Sequence, residues 1–338
     1  MKLILHIGMG KTGSSAIQKA LWESSSRLGE ANAAYLGMWF DLIDPAFYEL
    51  ENQMRFYAQP ADEMKDSARK LISVLYDLHE ERGLQTFVIS NEAMSGQSYA
   101  LKPMLDVLVE AGVAVEIIGF VRNPYEWLPS AYMQWGIRDK VEPGNIKPYS
   151  VFARQLVLWY EGMLDWLRLH PGIVSIRSYD DSDDIVATFS KISGLPLVGS
   201  TERVFERGED AEVLLRALFN NQFRGRVLPE KFDGSVFSSL TEIESIESSV
   251  SRYFDYSDTK KIIEENSGLF SALESELGFE LCRESEFSLP DAERIRKRLV
   301  DALVALVLRQ GCKIEAMEQR IAHIENMLRT HAPTIEVT

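Results

Sequence analysis

Residues 2–15 read KLILHIGMGKTGSS, an apolar run that is followed by a segment rich in glycine and hydroxyl residues. Its first six residues are almost continuously apolar, which is typical of a strand buried on both faces of a parallel sheet. A glycine-rich segment follows, and a helical pattern over residues 14–28 begins directly after it. The stretch therefore predicts a strand, a tight loop and a helix, which together form the opening unit of an α/β fold.

The same alternation continues along the first half of the chain. Three further apolar runs predict buried strands over residues 86–90, 115–121 and 173–177. Helical patterns separate or follow them over residues 61–82, 101–111, 149–169, 183–192 and 210–222. Strands and helices in this order require right-handed crossovers. We therefore expect a doubly wound, mostly parallel sheet flanked by helices, with a helical C-terminal extension.

The chain divides into three predicted regions. Residues 1–225 form the α/β core, residues 226–289 a helical and loop extension of that core, and residues 290–330 a long amphipathic helix. Within the last region two apolar stripes lie on either side of Gly311: Ile295, Leu299, Leu303 and Leu306, then Ile314, Met317, Ile321, Ile324 and Leu328. The spacing indicates one long or broken helix that either packs on its own chain or forms a homo-oligomer.

Composition narrows the classes of function. The 338 residues include 36 Lys and Arg against 51 Asp and Glu, a formal net charge of −15. A general electrostatic attraction to nucleic acid or anionic membranes is therefore not expected, and any anion must be bound by a local pocket. The two cysteines, Cys282 and Cys312, and the five scattered histidines lack the spacing of a disulfide framework or a metal site.

No segment has the pattern of a membrane or export signal. The N-terminal apolar run is too short for the core of a signal peptide and lacks a small-residue cleavage site. The longest apolar stretch, residues 299–308, is interrupted by Asp301 and is far shorter than the ~20 residues that span a bilayer. We expect a cytoplasmic protein without a transmembrane segment.

The loop between the first strand and the first helix has the residues of a phosphate-binding site. Glycines permit a tight turn that aims successive backbone N–H groups at one point, and the helix N-terminus adds partial positive charge. Lys11 supplies a full charge, and hydroxyl donors come from Thr12, Ser14 and Ser15. We interpret residues 8–15 as a site for phosphate-like oxygens.

This loop differs from that of nucleoside triphosphatases. Their G-x-x-x-x-G-K-[ST] pattern would need glycine where Leu5 stands. A magnesium-binding Asp is also expected at the end of a neighbouring strand. The second predicted strand instead leads into Asn91 and Glu92, and the third into Arg122.

A second candidate anion site follows the third predicted strand, where residues 120–132 read FVRNPYEWLPSAY. Arg122 stands at the carboxyl end of that strand, where ligands bind in open α/β sheets. Ser130, about two helical turns further on, could present a hydroxyl to the same anion. The two sites together predict a ligand with phosphate-like groups at both ends.

These two motifs resemble those of sulfotransferases that use 3′-phosphoadenosine 5′-phosphosulfate (PAPS). Lys11 to Ser15 is similar to their K-[ST]-G-[ST]-[ST] loop, which binds the 5′-phosphosulfate, and Arg122 with Ser130 is similar to their R-x7-S pair, which binds the 3′-phosphate. The resemblance covers residues 1–220 and is greatest to the bacterial branch, which implies a P-loop-like, three-layer fold. It implies these donor-binding residues: Gly10, Lys11, Thr12, Gly13, Ser14, Ser15, Arg122, Ser130 and Arg207.

The resemblance also implies the chemistry, which is in-line transfer of a sulfuryl group to an acceptor hydroxyl or amine without a metal. Lys11 would neutralise charge on the leaving group, and a His or Glu would take the acceptor's proton. We favour Glu92 as that base, because it follows a strand end, although a role at a helix start fits equally; His6 is the rival. The acceptor stays open between a carbohydrate, a lipid and a small phenol.

Two other functions fit the same residues. A phosphotransferase with an unusual phosphate loop would bind ATP with Mg²⁺ and have no preference for a 3′-phosphate. A non-catalytic protein would bind the nucleotide tightly without turnover and interact with a partner through its C-terminal helix.

Overall fold

The computed structural model describes residues 1–198, 210–221, 223–234, 246–284 and 290–330. The chain separates into two compact units. Unit 1 comprises Met1–Tyr132, Tyr149–Arg207 and Tyr256–Phe287. Unit 2 comprises Met133–Pro148, Gly208–Asp255 and Ser288–Thr338.

Unit 1 is built on a five-stranded sheet in which every pairing is parallel. Its strands are β1 (Lys2–His6), β2 (Ala33–Tyr35), β3 (Thr86–Ser90), β4 (Ala114–Val121) and β5 (Val174–Ser178), in the order β2-β3-β1-β4-β5. The four strands predicted from apolar runs are confirmed to within one residue at each end. The edge strand β2 was not predicted, because three residues are too few to form a recognisable run.

Helices surround this sheet and form most of unit 2. In chain order they are α1 (Ser14–Glu23), α2 (Ser25–Glu30), α3 (Leu50–Tyr57), α4 (Ala61–Arg82), α5 (Ser98–Glu110), α6 (Pro124–Ala131), α7 (Tyr149–Leu156), α8 (Trp159–Leu169), α9 (Ile185–Ser193), α10 (Asp210–Asn220), α11 (Pro229–Gly234), α12 (Ile246–Phe254), α13 (Thr259–Glu265), α14 (Ser267–Leu277) and α15 (Ala292–Thr330). Pro45–Phe47 and Glu92–Gly96 are 3₁₀ turns, and Tyr132–Arg138 is a π-helical segment.

The observed helices match the predicted ones with two corrections. The helix predicted over residues 14–28 is divided at Ser24 into α1 and α2, and the one predicted over residues 149–169 is divided into α7 and α8. The helix predicted over residues 61–82 is observed with the same bounds. Gly83 caps its C-terminus, and its φ of 71° is the left-handed conformation that glycine adopts at helix ends.

The sheet is covered by helices on both faces, as the apolar strands predicted. On one face, Ile4, Val88 and Ile118 pack with Ile17 of α1 and Phe189 of α9 in a single core cluster. On the other face, α8 approaches so closely that a Cβ added to Gly119 would lie 3.0 Å from Met163 Cε. The observed architecture is therefore an α/β fold with an all-parallel sheet between helical layers.

The strand order creates a crevice between two neighbouring strands. The chain leaves β1 towards β2 at one edge of the sheet, whereas it leaves β4 towards β5 at the other edge. β1 and β4 pair directly, with His6 opposite Ile118. Ligands of open α/β sheets bind at the carboxyl ends of such strands. The loop after β1 and the start of α6 after β4 flank this crevice.

In unit 2, α15 is one continuous helix of 39 residues that passes through Gly311 without a break. It contacts α10 and α12, and its residues Ile295 and Leu299 are buried. Within the described part of the chain, no helix is both long enough and apolar enough to cross a membrane.

Candidate functional site

The loop after β1 has an unusual backbone. Lys11 adopts a φ of 66° and Gly13, the N-cap residue of α1, a φ of 86°, both in the left-handed region. A non-glycine residue rarely adopts this conformation, which costs about 1–2 kcal/mol. The carbonyl of Gly13 accepts hydrogen bonds from the N–H groups of Ala16 and Ile17, at 3.0 and 3.1 Å, and so begins α1. Alternating right- and left-handed residues direct N–H groups into a concave nest.

Several polar side-chain atoms converge beside Gly8. A Cβ at this position would lie 3.0 Å from His6 Nε2, 3.2 Å from Thr12 Oγ1 and 3.4 Å from Ser14 Oγ. Thr12 Oγ1 donates to the carbonyl of Met9 at 2.5 Å. His6 Nε2 and Ser14 Oγ are buried, and neither has a hydrogen-bond partner among the described residues. Only glycine leaves this polar space open.

The remaining predicted loop residues differ in their exposure. Gly10 and Thr12 are buried, Lys11 is half-buried, and Ser15 is exposed to solvent on the first turn of α1. The side chains of Thr12 and Ser14 are therefore buried, whereas Ser15 is accessible to solvent.

Trp127, in the helix α6 that follows β4, is hydrogen-bonded to the loop after β1. Its indole Nε1 donates to the carbonyl of Gly10 at 2.8 Å, and the side chain is fully buried. Its ring packs against those of Trp159 and Tyr160, with centroids 5.8 and 5.3 Å away. Sequence reasoning missed this role. An aromatic residue with an N–H donor on the buried face of the helix after Arg122 was the only signal for it.

Arg122 lies at the end of β4 with acidic partners. Its Nε donates to Asp180 Oδ1 at 3.3 Å, and a terminal nitrogen lies 3.9 Å from Glu126 Oε2. The other oxygen of Asp180 accepts the backbone N–H of Asn123 at 2.6 Å. The guanidinium carbon is 5.5 Å from the centre of the Tyr179 ring. Asp180 thus fixes Arg122 against the first turn of α6, and the prediction from sequence did not include this carboxylate.

The other two residues predicted for the second anion site are Ser130 and Arg207. Ser130 is half-buried near the carboxyl end of α6, and α6 starts next to Arg122. The start of α6 is capped by Asn123, whose Oδ1 accepts the N–H of Tyr125 at 3.2 Å. Arg207 lies outside the described residues.

Glu92 is the first residue of the 3₁₀ turn after β3, and Asn91 caps this turn through a 2.8 Å bond from the Ala93 N–H. Gln18 of α1 connects Glu92 with the helix that follows the loop after β1. Its Nε2 donates to Glu92 Oε2 and to the carbonyl of Ser90, both at 3.2 Å. The half-buried carboxylate therefore lies beside the helix that begins at the loop.

Two phenols lie near Glu92. Burial, and after it the negative charge of Glu92, raises the pKa of both Tyr35 and Tyr57 above the usual range, so both stay neutral. Tyr57 Oη accepts a bond from Gln53 Nε2 at 2.7 Å, and Gln53 Oε1 accepts one from Asn91 Nδ2 at 3.0 Å. Neutral phenols are potential hydrogen-bond donors beside this carboxylate.

His6, the rival base, belongs to the core. It is fully buried, and its ring packs edge-on against Phe120 and Phe189. Its Nδ1 is 2.7 Å from Ser90 Oγ. Burial lowers the pKa of His6 to about 3, so the imidazole is neutral at physiological pH.

Within the described residues, no group of three or more His, Cys, Asp or Glu side chains is arranged to hold a metal ion.

The chain matches no protein-family model and no curated protein sequence.

Proposed function

We propose that this protein is a sulfotransferase that moves a sulfuryl group from PAPS to a hydroxyl or amine of an acceptor. The observation that carries the proposal is the arrangement at the crevice. A loop with a left-handed lysine follows β1, and an arginine follows β4, its direct neighbour in the sheet. A phosphate-binding loop and a second cationic group at adjoining strand ends suit a donor that has phosphate groups at both ends.

The strand order supports a P-loop-like form of this fold. β1, the strand that leads into the loop, is the central strand of the sheet, and a helix starts directly from the loop. This is the strand–loop–helix context in which backbone N–H groups and a helix N-terminus bind phosphate oxygens.

In the proposed site, Gly10 to Ser15 would bind the 5′-phosphate through backbone N–H groups and hydroxyls. Lys11 would balance the charge that develops on the leaving phosphate. Arg122, fixed by Asp180, would bind the 3′-phosphate together with Ser130 and Arg207. The donor supplies an activated sulfuryl group, which needs positioning and electrostatic stabilisation more than covalent catalysis.

Glu92 is the proposed base for the acceptor proton. Its bond from Gln18 supports this role, because that bond orients the carboxylate from the helix that begins at the phosphate loop. The half-buried phenol of Tyr35 near this carboxylate would then lie on the acceptor side, where it could donate a hydrogen bond to a carbohydrate hydroxyl or a lipid headgroup. Proton removal by a positioned carboxylate contributes about 10²–10⁴-fold to a rate.

A calorimetric titration tests donor recognition. Adenosine 3′,5′-bisphosphate in the presence of EDTA is compared with ATP plus Mg²⁺, on the wild type, Arg122→Ala and a control, Arg82→Ala. Arg82 is the last residue of α4 and lies just before the start of β3. It is therefore near the amino-terminal ends of the parallel strands, whereas the crevice is at their carboxyl ends. We expect metal-free binding of the bisphosphate that weakens roughly 10–100-fold in Arg122→Ala, as for the loss of a charge-assisted hydrogen bond, and stays unchanged in Arg82→Ala.

Preference for ATP with Mg²⁺ would support the phosphotransferase instead. Binding that is indifferent to Arg122 would remove the second phosphate site from the proposal. Turnover is tested separately by release of adenosine 3′,5′-bisphosphate from PAPS across a panel of acceptors. Glu92→Gln should bind the donor normally and lose at least about 100-fold in rate. Equal turnover by this variant would rule out Glu92 as the base, and donor binding with no turnover on any acceptor would favour a non-catalytic role.

A further inference from the structure

The C-terminal helix α15 has one apolar face that packs within unit 2 and another that does not. Ile295 and Leu299 are buried, and the helix contacts α10 and α12. One residue further round the helix, Val300 begins a second face whose apolar side chains are 46–61% exposed: Val300, Leu303, Ile314, Met317, Ile321 and Ile324. A contiguous exposed apolar face of this kind is typical of a surface that binds another protein chain.

Continuity of the helix aligns the exposed residues in one seam. Because α15 passes through Gly311, the spacing from Val300 to Leu328 can be followed without interruption. Steps of 3 and 4 then give nine consecutive a and d positions of a heptad repeat: Val300, Leu303, Val307, Gln310, Ile314, Met317, Ile321, Ile324 and Leu328. Gln310 is the single polar residue among them. The seam is roughly 42 Å long at 1.5 Å per residue, and a sustained 3.5-residue period is typical of a coiled coil.

The amino acids at these positions indicate how many helices associate. Four of the five a positions hold the β-branched residues Val or Ile, and three of the four d positions hold Leu, Gln or Met, which are unbranched at Cβ. β-branched residues at a combined with an unbranched Cβ at d favour two parallel strands over three or four.

Charges beside the seam indicate the relative direction of the two helices. In the sequence, the g positions of the last heptads hold Lys313 and Arg320, and the following e positions hold Glu318 and Glu325. In a parallel, in-register pair each g residue faces the e residue five positions later on the partner, so both pairings join opposite charges. In an antiparallel pair g faces g and e faces e, which would bring like charges together.

We propose that α15 joins two copies of this chain in a parallel, in-register coiled coil along the seam from Val300 to Leu328. The occupant of the exposed face is thus the same face of a second chain. Gln310, at a d position, would meet its own counterpart across the axis, and one buried polar pair of this kind fixes the register.

Sedimentation equilibrium of the full-length chain is the first test, and we expect a dimer. Ile314→Asp combined with Ile321→Asp should raise the dissociation constant at least about 100-fold, because each substitution places a carboxylate in the seam. Ala305→Asp is the matched control, since Ala305 is exposed on the same helix at an f position, away from the seam. All three proteins should unfold at the same urea concentration when monomeric, because the altered side chains are exposed.

Two further experiments test the direction. In a chain with Cys282→Ser and Cys312→Ser, cysteine is placed singly at Leu303 or at Ile324, and mild oxidation is applied. A parallel pair brings each position next to its own copy, so both variants should cross-link. An antiparallel pair can do this for at most one of them, since they are roughly 31 Å apart along the helix.

Charge exchange gives the same distinction without cysteine. Glu318→Lys with Glu325→Lys should weaken the dimer, and adding Lys313→Glu with Arg320→Glu to that chain should restore it. A monomer at all accessible concentrations, a trimer, a dimer indifferent to the seam substitutions, or cross-linking at one position alone would each overturn the proposal.

Discussion

Gly13 offers a quantitative test of how the loop after β1 is packed. The residue has a φ of 86°, and a Cβ added to it would lie 2.9 Å from Ile185 Cγ2 and 3.0 Å from Cγ1, at the start of α9. Gly83 is a matched control, because its φ of 71° is also left-handed while no atom lies within 4 Å of an added Cβ. Alanine at both positions therefore separates the backbone cost from the steric cost.

The expected magnitudes follow from these two environments. A left-handed alanine costs about 1–2 kcal/mol, and its lower unfolded-state entropy offsets about 0.4–1 kcal/mol of this. Gly83→Ala should therefore lower the free energy of unfolding by about 1 kcal/mol. Gly13→Ala should add an overpacking cost of about 1–3 kcal/mol, because the contact is with a side chain attached at the start of a helix. The total for Gly13→Ala is then about 2–4 kcal/mol.

Urea unfolding followed by tryptophan fluorescence measures both variants, and Ile185→Ala completes the cycle. Removing both γ carbons of Ile185 should cost less in the Gly13→Ala background than in the wild type, by about the size of the steric term. If Gly13→Ala and Gly83→Ala have the same effect, or if Ile185→Ala adds independently, then α9 does not pack against the loop after β1 as described.

Three other outcomes are expected. Lys11→Gly should be about 0.5–1 kcal/mol more stable than Lys11→Ala in urea unfolding, because glycine adopts the left-handed conformation of this position without strain. Both variants should lose the same roughly 10–100-fold in affinity for adenosine 3′,5′-bisphosphate by calorimetry, and unequal losses would contradict a role of the ammonium group. Trp127→Phe should cost about 1–3 kcal/mol in urea unfolding, because the buried carbonyl of Gly10 loses its donor, and an unchanged midpoint would exclude that bond. His6 has a folded pKa of about 3, below its unfolded value of 6.5, so the unfolded state binds the proton first and stability should fall as the pH drops from 6.5 towards 3. His6→Gln should remove up to about 1.4 kcal/mol per pH unit from this pH dependence. If the free energies of unfolding of wild type and variant depend on pH in parallel, His6 is not buried and neutral.

The parts of the fold that follow from sequence are those in which burial leaves a long signal. β1, β3 and β4 are buried on both faces, so their apolar runs are continuous and their bounds could be predicted closely. β2 has three residues and lies at the sheet edge, where pairing with β3 rather than its own composition makes it a strand. Its position matters, because Tyr35 ends this strand close to Glu92.

In the candidate site, single residues could be predicted from the sequence, whereas the contacts between distant residues could not. Lys11 and Arg122 could be predicted from the sequence as candidate anion-binding residues, because both are cationic and each follows an apolar run that predicts a strand. The indole of Trp127 on the Gly10 carbonyl, and Asp180 on Arg122, join residues that are 117 and 58 positions apart. Such contacts depend on the order of the strands, which one sequence does not specify when several right-handed arrangements satisfy the same pattern.

These long-range contacts change what the predicted residues can do. Arg122 alone would be a mobile cation, and a freely rotating side chain loses entropy when it binds an anion. Its bond to Asp180 restricts the guanidinium before any ligand arrives, and Asp180 in turn is fixed by the Asn123 N–H. The carboxylate also lowers the net positive charge at this position. In the proposed site, the pair would therefore favour a ligand whose oxygens match the remaining N–H directions over one attracted by charge alone.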